Sequence, residues 1–409
     1  MLQTSSLSMS ISVLVSLSLL PCVAAAKNYD FDGSISEEVL RNYLSRAATT
    51  SGLLQREDRA EEDIRCITHM GVKFAGRAIG MWGNEQRMIY GEFLPNARKI
   101  AEDIHAADPE IVLQGAIFEI ITTKVNQVPI PSRTFEAFGL SVEDRCFSYE
   151  QMLHDEGLYH DHWQKGASVP DTTKMETKMW FFHVASAYID LGVEALHLGQ
   201  IGLMGASDQE YTSWWEMLGK IREYARRNAR RHMVLCDAHV IDNGPLREGR
   251  LLFDFHSKPC RIKEIPERPR EAELAMNYLD NLFGRSRGGI APSGWTCAHL
   301  PHLAEIDHYG VKEPGKSGFS YFVWGWDEMS WFAHQSEEDR NSWLRYAWDW
   351  VRKHDPNGYL QMPAMRVLID PVGERRWYFA NTPSEAFPEG FGQEETIKAI
   401  WASEETSPL

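Results

Sequence analysis

Positive charge is scarce in this sequence: 42 Lys+Arg stand against 58 Asp+Glu in 409 residues, a formal net charge of −16. A polyanion such as nucleic acid is therefore an unfavourable partner. Beyond the N-terminal stretch no apolar run reaches the roughly 20 residues that a membrane-spanning helix needs, so no membrane span is expected in the mature chain. The cysteines show no C-x-x-C spacing, which excludes a zinc ribbon. No G-x-G-x-x-G follows the first predicted strand, and G-x-S-x-G, Walker-type loops and H-E-x-x-H are also absent. These gaps count against a dinucleotide-binding sheet, a lipase-like esterase, an NTPase and a zinc protease. Nothing calls for a cofactor. There is no internal repeat, low-complexity block or linker, so a single domain over 27–409 is expected.

What is present is a globular composition, 43% hydrophobic and 24% charged, with 14 Trp, as many as Tyr. Residues 1–26 carry no charged side chain; the apolar stretch Ile11 to Leu20 runs into Ala24-Ala25-Ala26. That pattern predicts a signal peptide cleaved near Ala26 and an exported protein. Removal of Cys22 leaves Cys66, Cys146, Cys236, Cys260 and Cys297, an odd number, with a pair such as Cys260 to Cys297 left open.

After a capped helix at Ser36-Glu37, short β-rich runs alternate with amphipathic helices. The runs are Val72 to Met81, Ile111 to Ile121, Val193 to Leu198, Met233 to Val240, Leu251 to Phe255, Leu303 to Tyr309, Phe319 to Trp324 and Tyr359 to Leu368. The intervening helices are Glu92 to His105, Met175 to Leu191, Gln209 to Arg231, Glu271 to Phe283 and Glu337 to Lys353, with Gln393 to Trp401 last and Ser403 to Leu409 as a frayed tail. Alternation of this kind predicts an α/β fold with a parallel sheet, and eight units predict a closed (β/α)8 barrel of the TIM type; an open doubly wound sheet is the alternative. The long connections at about 122–174, with His154, His160, His162 and Trp163, and at about 257–302 are expected as top-face insertions.

Barrel enzymes take their catalytic side chains from the carboxyl ends of the strands. In the order above, those ends offer Arg77 with Trp82, then Glu119, then His197 with Gln200, then Asp237 with His239, then Asp254 with His256. The sixth offers Glu305, Asp307 and His308, the seventh Trp324, Trp326, Asp327 and Glu328, and the eighth Gln361 and Arg366. A lone Asp there often only caps a helix, but carboxylates at five of eight ends predict an acid-lined cleft. Paired carboxylates are the apparatus of glycoside hydrolysis, one protonating the leaving oxygen while the other attacks or activates water. Indoles at loops and strand ends (Trp82, Trp163, Trp295, Trp324, Trp326 and Trp331) suit the flat faces of sugar rings. Trp343 and Trp348 recur at helical spacing and belong to packing, and Trp214 and Trp215 sit near a helix start.

In these features the chain resembles the secreted (β/α)8-barrel glycoside hydrolases. Within that group the α-galactosidase-like enzymes place an Asp nucleophile after strand four and an Asp acid/base after strand six. The resemblance implies those roles for Asp237 in VLCDAHV and Asp307 in AEIDHYG. The enzymes that use strands four and seven prefer Glu at both; their Asn-Glu pair is absent here, leaving Glu328 as a strand-seven candidate. The expected reading is thus a carbohydrate hydrolase with Asp237 as nucleophile or base and Asp307 as acid. Glu119, Asp254 and Glu328 would support them, and Arg77, His197, Gln200, His239, His256 and His308 would bind substrate.

Two rivals stand beside it. Asp237/His239, Asp254/His256 and Asp307/His308 could serve a metal hydrolase or a sugar isomerase, and the same cleft could bind glycans without catalysis. The basic cluster Arg226 to Arg231 lies at a helix end, where cations complement the dipole. The loop Arg285 to Gly289 reads as a turn with two arginines able to meet an anionic sugar.

Overall fold

The computed structural model describes residues 27–406, apart from 241–243, 269, 280–285 and 311–321. The expected signal segment, Cys22 included, lies outside the described residues, as does part of the Arg285 to Gly289 loop.

Eight strands form one sheet: β1 (Ala47–Thr50), β2 (Phe74–Gly80), β3 (Val112–Ala116), β4 (Ala195–Gln200), β5 (Leu235–His239), β6 (His256–Pro259), β7 (His302–Glu305) and β8 (Gly358–Val372). Each pairs parallel to the next, and β8 pairs parallel to β1, closing the barrel. The far part of β8 turns back antiparallel onto β9 (Arg375–Phe379).

Helix α1 (Glu37–Leu44) precedes the barrel, and α2 (Ala60–Met70), α3 (Phe93–Ala107), α4 (Met175–Asp190) and α5 (Thr212–Asn228) follow β1 to β4 in turn. The pair α6 (Glu328–His334) and α7 (Glu337–His354) joins β7 to β8, and α8 (Glu394–Thr406) ends the described chain. Among the described residues no helix joins β5 to β6 or β6 to β7. The expected helix Glu271 to Phe283 is not formed over 271–279, its described part: Ala272–Glu273 pairs as a short antiparallel ladder with Lys263–Glu264. The predicted tail is helical to Thr406.

Where the sequence signals are complete the helices match them. In α7 the Ser336 hydroxyl accepts from the Asp339 amide, acids fill the first turn and Arg352, Lys353 and His354 the last, as the macrodipole favours. Trp343 and Trp348 are buried with Leu344, Ala347 and Val351 on its inner face, and Trp214 of α5 is likewise core.

The strand count needs three corrections. The first strand, Ala47–Thr50, is four small residues buried on both faces, so it shows neither alternation nor bulk. Leu251 belongs to a short outer pairing, and the barrel strand begins at His256. The described part of Phe319 to Trp324 is a turn. Asp237 therefore lies on the fifth strand and Asp307 after the seventh, not the fourth and sixth, although one strand still lies between them. All five cysteines of the described chain are free, Cys260 and Cys297 included.

Inside the barrel the side chains fall into two layers. Ala47, Phe74, Val112, Ala195, Leu235, Phe255, Leu303 and Tyr359 form the lower one, closed from below by Val39, Leu40, Tyr43 and Leu44 of α1. Alternate residues of a strand share a face, so two positions further along come Thr49, Gly76, Gln114, His197, Asp237, Ser257, Glu305 and Gln361. The upper layer is polar, and it forms the floor of the candidate site. Leu40 has no exposed surface; Leu40→Ala is expected to cost about 2–5 kcal/mol, measured as a shift in the denaturant midpoint.

No helix among the described residues is long and apolar enough to cross a membrane.

Candidate active site

Asp237 is fully buried at the centre of the polar layer. Its Oδ1 accepts from Gln114 Nε2 at 2.6 Å, and its Oδ2 accepts from His197 Nδ1 at 2.7 Å and Ser257 Oγ at 2.6 Å. Three donors on two oxygens satisfy a buried carboxylate. Gln114 is itself fixed, because its carbonyl oxygen accepts from the Arg77 amide at 3.0 Å.

Arg77 sits in a bulge of β2, where the register with β3 shifts, at a φ of +56°. A left-handed conformation at a non-glycine residue is strained and persists where its surroundings hold it. Here the bulge turns the guanidinium over the site. Its Nη2 meets Glu305 Oε2 at 2.6 Å, and it feels the charges of Asp307, Glu119 and Asp237 as well. The other oxygen of Glu305 is held by Thr49 Oγ1 at 2.8 Å and by the buried Arg366. Burial pushes the Glu305 carboxyl up, but Arg77 and Arg366 outweigh it and hold the group below the usual carboxylate range.

Asp307 follows two residues later, at the mouth, with its side chain 31% exposed. Arg261 Nη1 lies 3.3 Å from its Oδ2. Burial opposes ionisation, yet Arg261, Arg77 and Arg366 together hold this carboxyl far below its ordinary value. Arg261 also meets Glu328 Oε2 at 2.9 Å and lies over the Tyr309 ring at 4.3 Å. Glu328 itself is sealed behind Arg261, its Oε1 taken by the Ile262 amide, and burial pushes it up to about 8. It orients Arg261 and does not face the opening. His308 accepts from Arg366 at Nδ1 and donates from Nε2 to the Val367 carbonyl at 2.7 Å. Burial and Arg366 push it down to about 4, so the ring is neutral.

Glu119 and Gln200 meet beside this group: Gln200 donates from its side chain at 2.7 Å and from its amide at 3.0 Å. Gly199 makes the approach possible, with a φ of +57° and a position where a Cβ would lie 2.1 Å from Glu119 Oε2. The Glu119 carbonyl accepts from Trp163 Nε1 at 2.8 Å. Trp163 in turn stands edge-on to Trp82 at 5.0 Å, and Trp82 to Phe118 at 5.4 Å. Arg77 lies over Phe118 at 5.7 Å. Trp82 is 51% exposed, so an aromatic wall runs from the charged cluster outward across the 122–174 insertion. His162 packs against it, whereas His154 is buried beneath.

Several expected site residues lie elsewhere. Asp254 faces outward, bound to Arg222 of α5 at 3.3 Å and to the Cys236 amide at 2.9 Å. His256, on the same outer face, bonds Ser286 Oγ at 3.0 Å, and burial pushes it down to about 3. Trp295 packs against the lower core near α1, at the opposite end of the barrel. Asp327 caps α6 by accepting from the Met329 and Ser330 amides, Trp324 is stacked on Phe322, and Trp326 lies flat on His334 at 4.2 Å. These four are held in packing rather than presented to a ligand. His239 lies at the open end of β5, opposite Gln200 and Ser257.

Sequence reasoning missed Gln114, Ser257 and Arg261. For Gln114 and Ser257 the available signal was the two-residue step from Val112 and Phe255, visible once the inward face of each strand is known; Arg261 lies beyond the end of its strand, outside that step. The three Asp/His pairs do not converge, because Asp254 and His256 point away from the barrel axis, and no three His, Cys, Asp or Glu among the described residues are grouped to hold a metal ion.

No family model and no curated protein matches the sequence. Among solved structures the chain is similar to the acarbose-soaked debranching enzyme of Nostoc punctiforme, with 11% identity over 90% of this chain and 82% of that one and a TM-score of 0.39. A GH27 β-L-arabinopyranosidase of Geobacillus stearothermophilus gives 10% identity, 78% and 73% coverage and a TM-score of 0.35. The maltogenic α-amylase AmyB of Thermotoga neapolitana gives 12%, 52%, 47% and 0.32, so the chain spans about half its length. At these values the barrel assignment rests on the strand ladder of this chain itself.

Proposed function

We propose that the protein hydrolyses a glycosidic bond of a carbohydrate at the open end of the barrel, with Asp307 and Asp237 as its pair of acids. The observation that carries this reading is Asp307, a carboxylate at the mouth held ionised by Arg261, Arg77 and Arg366, with an aromatic wall alongside. An ionised carboxylate is the group that attacks an anomeric carbon or activates water there. Asp307 holds no proton to donate near neutral pH, so the acid role expected for it passes to the Asp237 side of the site.

Reducing-end release from a panel of α- and β-linked oligosaccharides and aryl glycosides tests the proposal. Cleavage of at least one linkage is expected, and a panel left intact would overturn it. The exposed Trp82 indole is expected to bind a ring beyond the scissile bond. Trp82→Ala should remove about 1–2 kcal/mol of apolar contact, roughly 5–30-fold in KM, on an oligosaccharide while leaving an aryl monoglycoside little changed.

A further inference from the structure

We infer that His197 is the proton-transfer group of this site and that Asp237 acts through it as a positioning residue. The inference rests on the glycosidase reading and gives the second acid of the pair a mechanism. Asp237 is fully buried, and each of its oxygens is already engaged by Gln114, Ser257 or His197. A carboxylate so enclosed has no free face for a sugar.

The contact at 2.7 Å to His197 Nδ1 fixes the ring instead. Beside a carboxylate the ring must carry its proton on Nδ1, and the carboxylate stabilises positive charge on the imidazole, as in hydrolase triads. The other nitrogen, Nε2, makes no hydrogen bond among the described residues. The ring stands at 68° to Phe118, with centroids 6.3 Å apart, and Phe118 joins it to Trp82 and Arg77, the exposed wall of the site. The strained backbone of Arg77 holds Gln114, Gln114 holds Asp237, and Asp237 holds His197.

In the first step the Asp307 carboxylate bonds to the anomeric carbon as the glycosidic C–O bond breaks. The doubly protonated His197 ring gives its Nε2 proton to the departing oxygen, leaving the neutral ring with its remaining proton on Nδ1 toward Asp237. In the second step water attacks the same carbon, its proton goes to Nε2, and the Asp307 ester bond breaks. One water is consumed and both residues return to their starting states.

Leaving-group dependence tests the assignment. On the phenyl glycoside of whichever sugar the wild-type enzyme cleaves, His197→Ala is expected to lose at least about 100-fold in kcat. On the 2,4-dinitrophenyl glycoside, which needs no acid, it should lose less than about tenfold. Imidazole should restore part of the phenyl activity. Asp237→Asn should show the same split, and the double variant should be no worse than either alone. Equal losses on both glycosides, or no loss, would overturn the inference, and His197→Gln provides a bulkier variant should the Ala form unfold.

A substrate-free measurement separates this inference from the glycosidase reading. In wild-type protein labelled with 15N-histidine, NMR should show His197 carrying its proton on Nδ1, with that signal lost in Asp237→Asn. A His197 protonated only on Nε2 would refute the dyad whatever the substrate. Failure of every glycoside with the Nδ1 proton present would refute the glycosidase reading and leave the dyad.

Discussion

Asp307→Asn is expected to lower kcat/KM by about 10⁴-fold, the upper end of what a positioned acid–base or nucleophilic side chain supplies. The expectation follows from its surroundings. Arg261, Arg77 and Arg366 hold this carboxylate ionised at the mouth, so the group is a ready nucleophile at any ordinary pH. The amide has the same shape and no charge. Folding should survive the change, since the side chain is partly exposed and Arg261 keeps Glu328 as a partner at 2.9 Å. A thermal midpoint close to that of the wild type, measured alongside the kinetics, would separate lost chemistry from lost structure.

The largest effect on stability is expected one step deeper. Glu305 is buried between two guanidiniums, meeting Arg77 at 2.6 Å and Arg366 on its other oxygen. Glu305→Gln takes from both cations the carboxylate that touches them, leaving only the more distant charge of Asp307 shared between them. Breaking a buried pair in this way costs about 3–5 kcal/mol, read as a fall in the denaturant midpoint.

The effect should depend on pH with a defined sign. Glu305 is held below the usual range in the folded protein, while an unfolded glutamate titrates at about 4.3. Its contribution is therefore fully present above that unfolded value and is lost as pH falls through the lower, folded one. The gap between wild type and Glu305→Gln should be widest near neutral pH and close below about pH 4. A gap independent of pH would mean that the charge is not what stabilises the site.

Much of the barrel was legible because its longer elements carry redundant signals: caps, charges matched to the dipole and apolar faces at helical spacing. Ala47–Thr50 carries none of these. Its residues are small, and a parallel strand buried on both faces has no polar alternation to reveal it. The aromatic run ending at Trp324 looked like a strand because its residues are bulky and apolar; in the fold Phe322 and Trp324 stack on each other beneath Trp331.

The site was legible in residue types more than in positions. Asp237 and Asp254 both stand at apolar strand termini, yet one points into the barrel and the other binds a helix. A shift of one residue along a strand reverses the face, and only the pairing register settles which face is inward. The same register brings Gln114 and Ser257 onto Asp237, and it is Ser257 rather than its candidate neighbours Asp254 and His256 that faces the site.

The most direct test of the reacting carboxylate is azide trapping in Asp307→Ala, using the 2,4-dinitrophenyl glycoside of a sugar that the wild type cleaves. With the nucleophile removed, azide should enter the vacant space and restore turnover, releasing a glycosyl azide of inverted anomeric configuration. Turnover at the wild-type rate without azide, or a dead variant that yields no azide adduct, would contradict the assignment of Asp307 as the nucleophile.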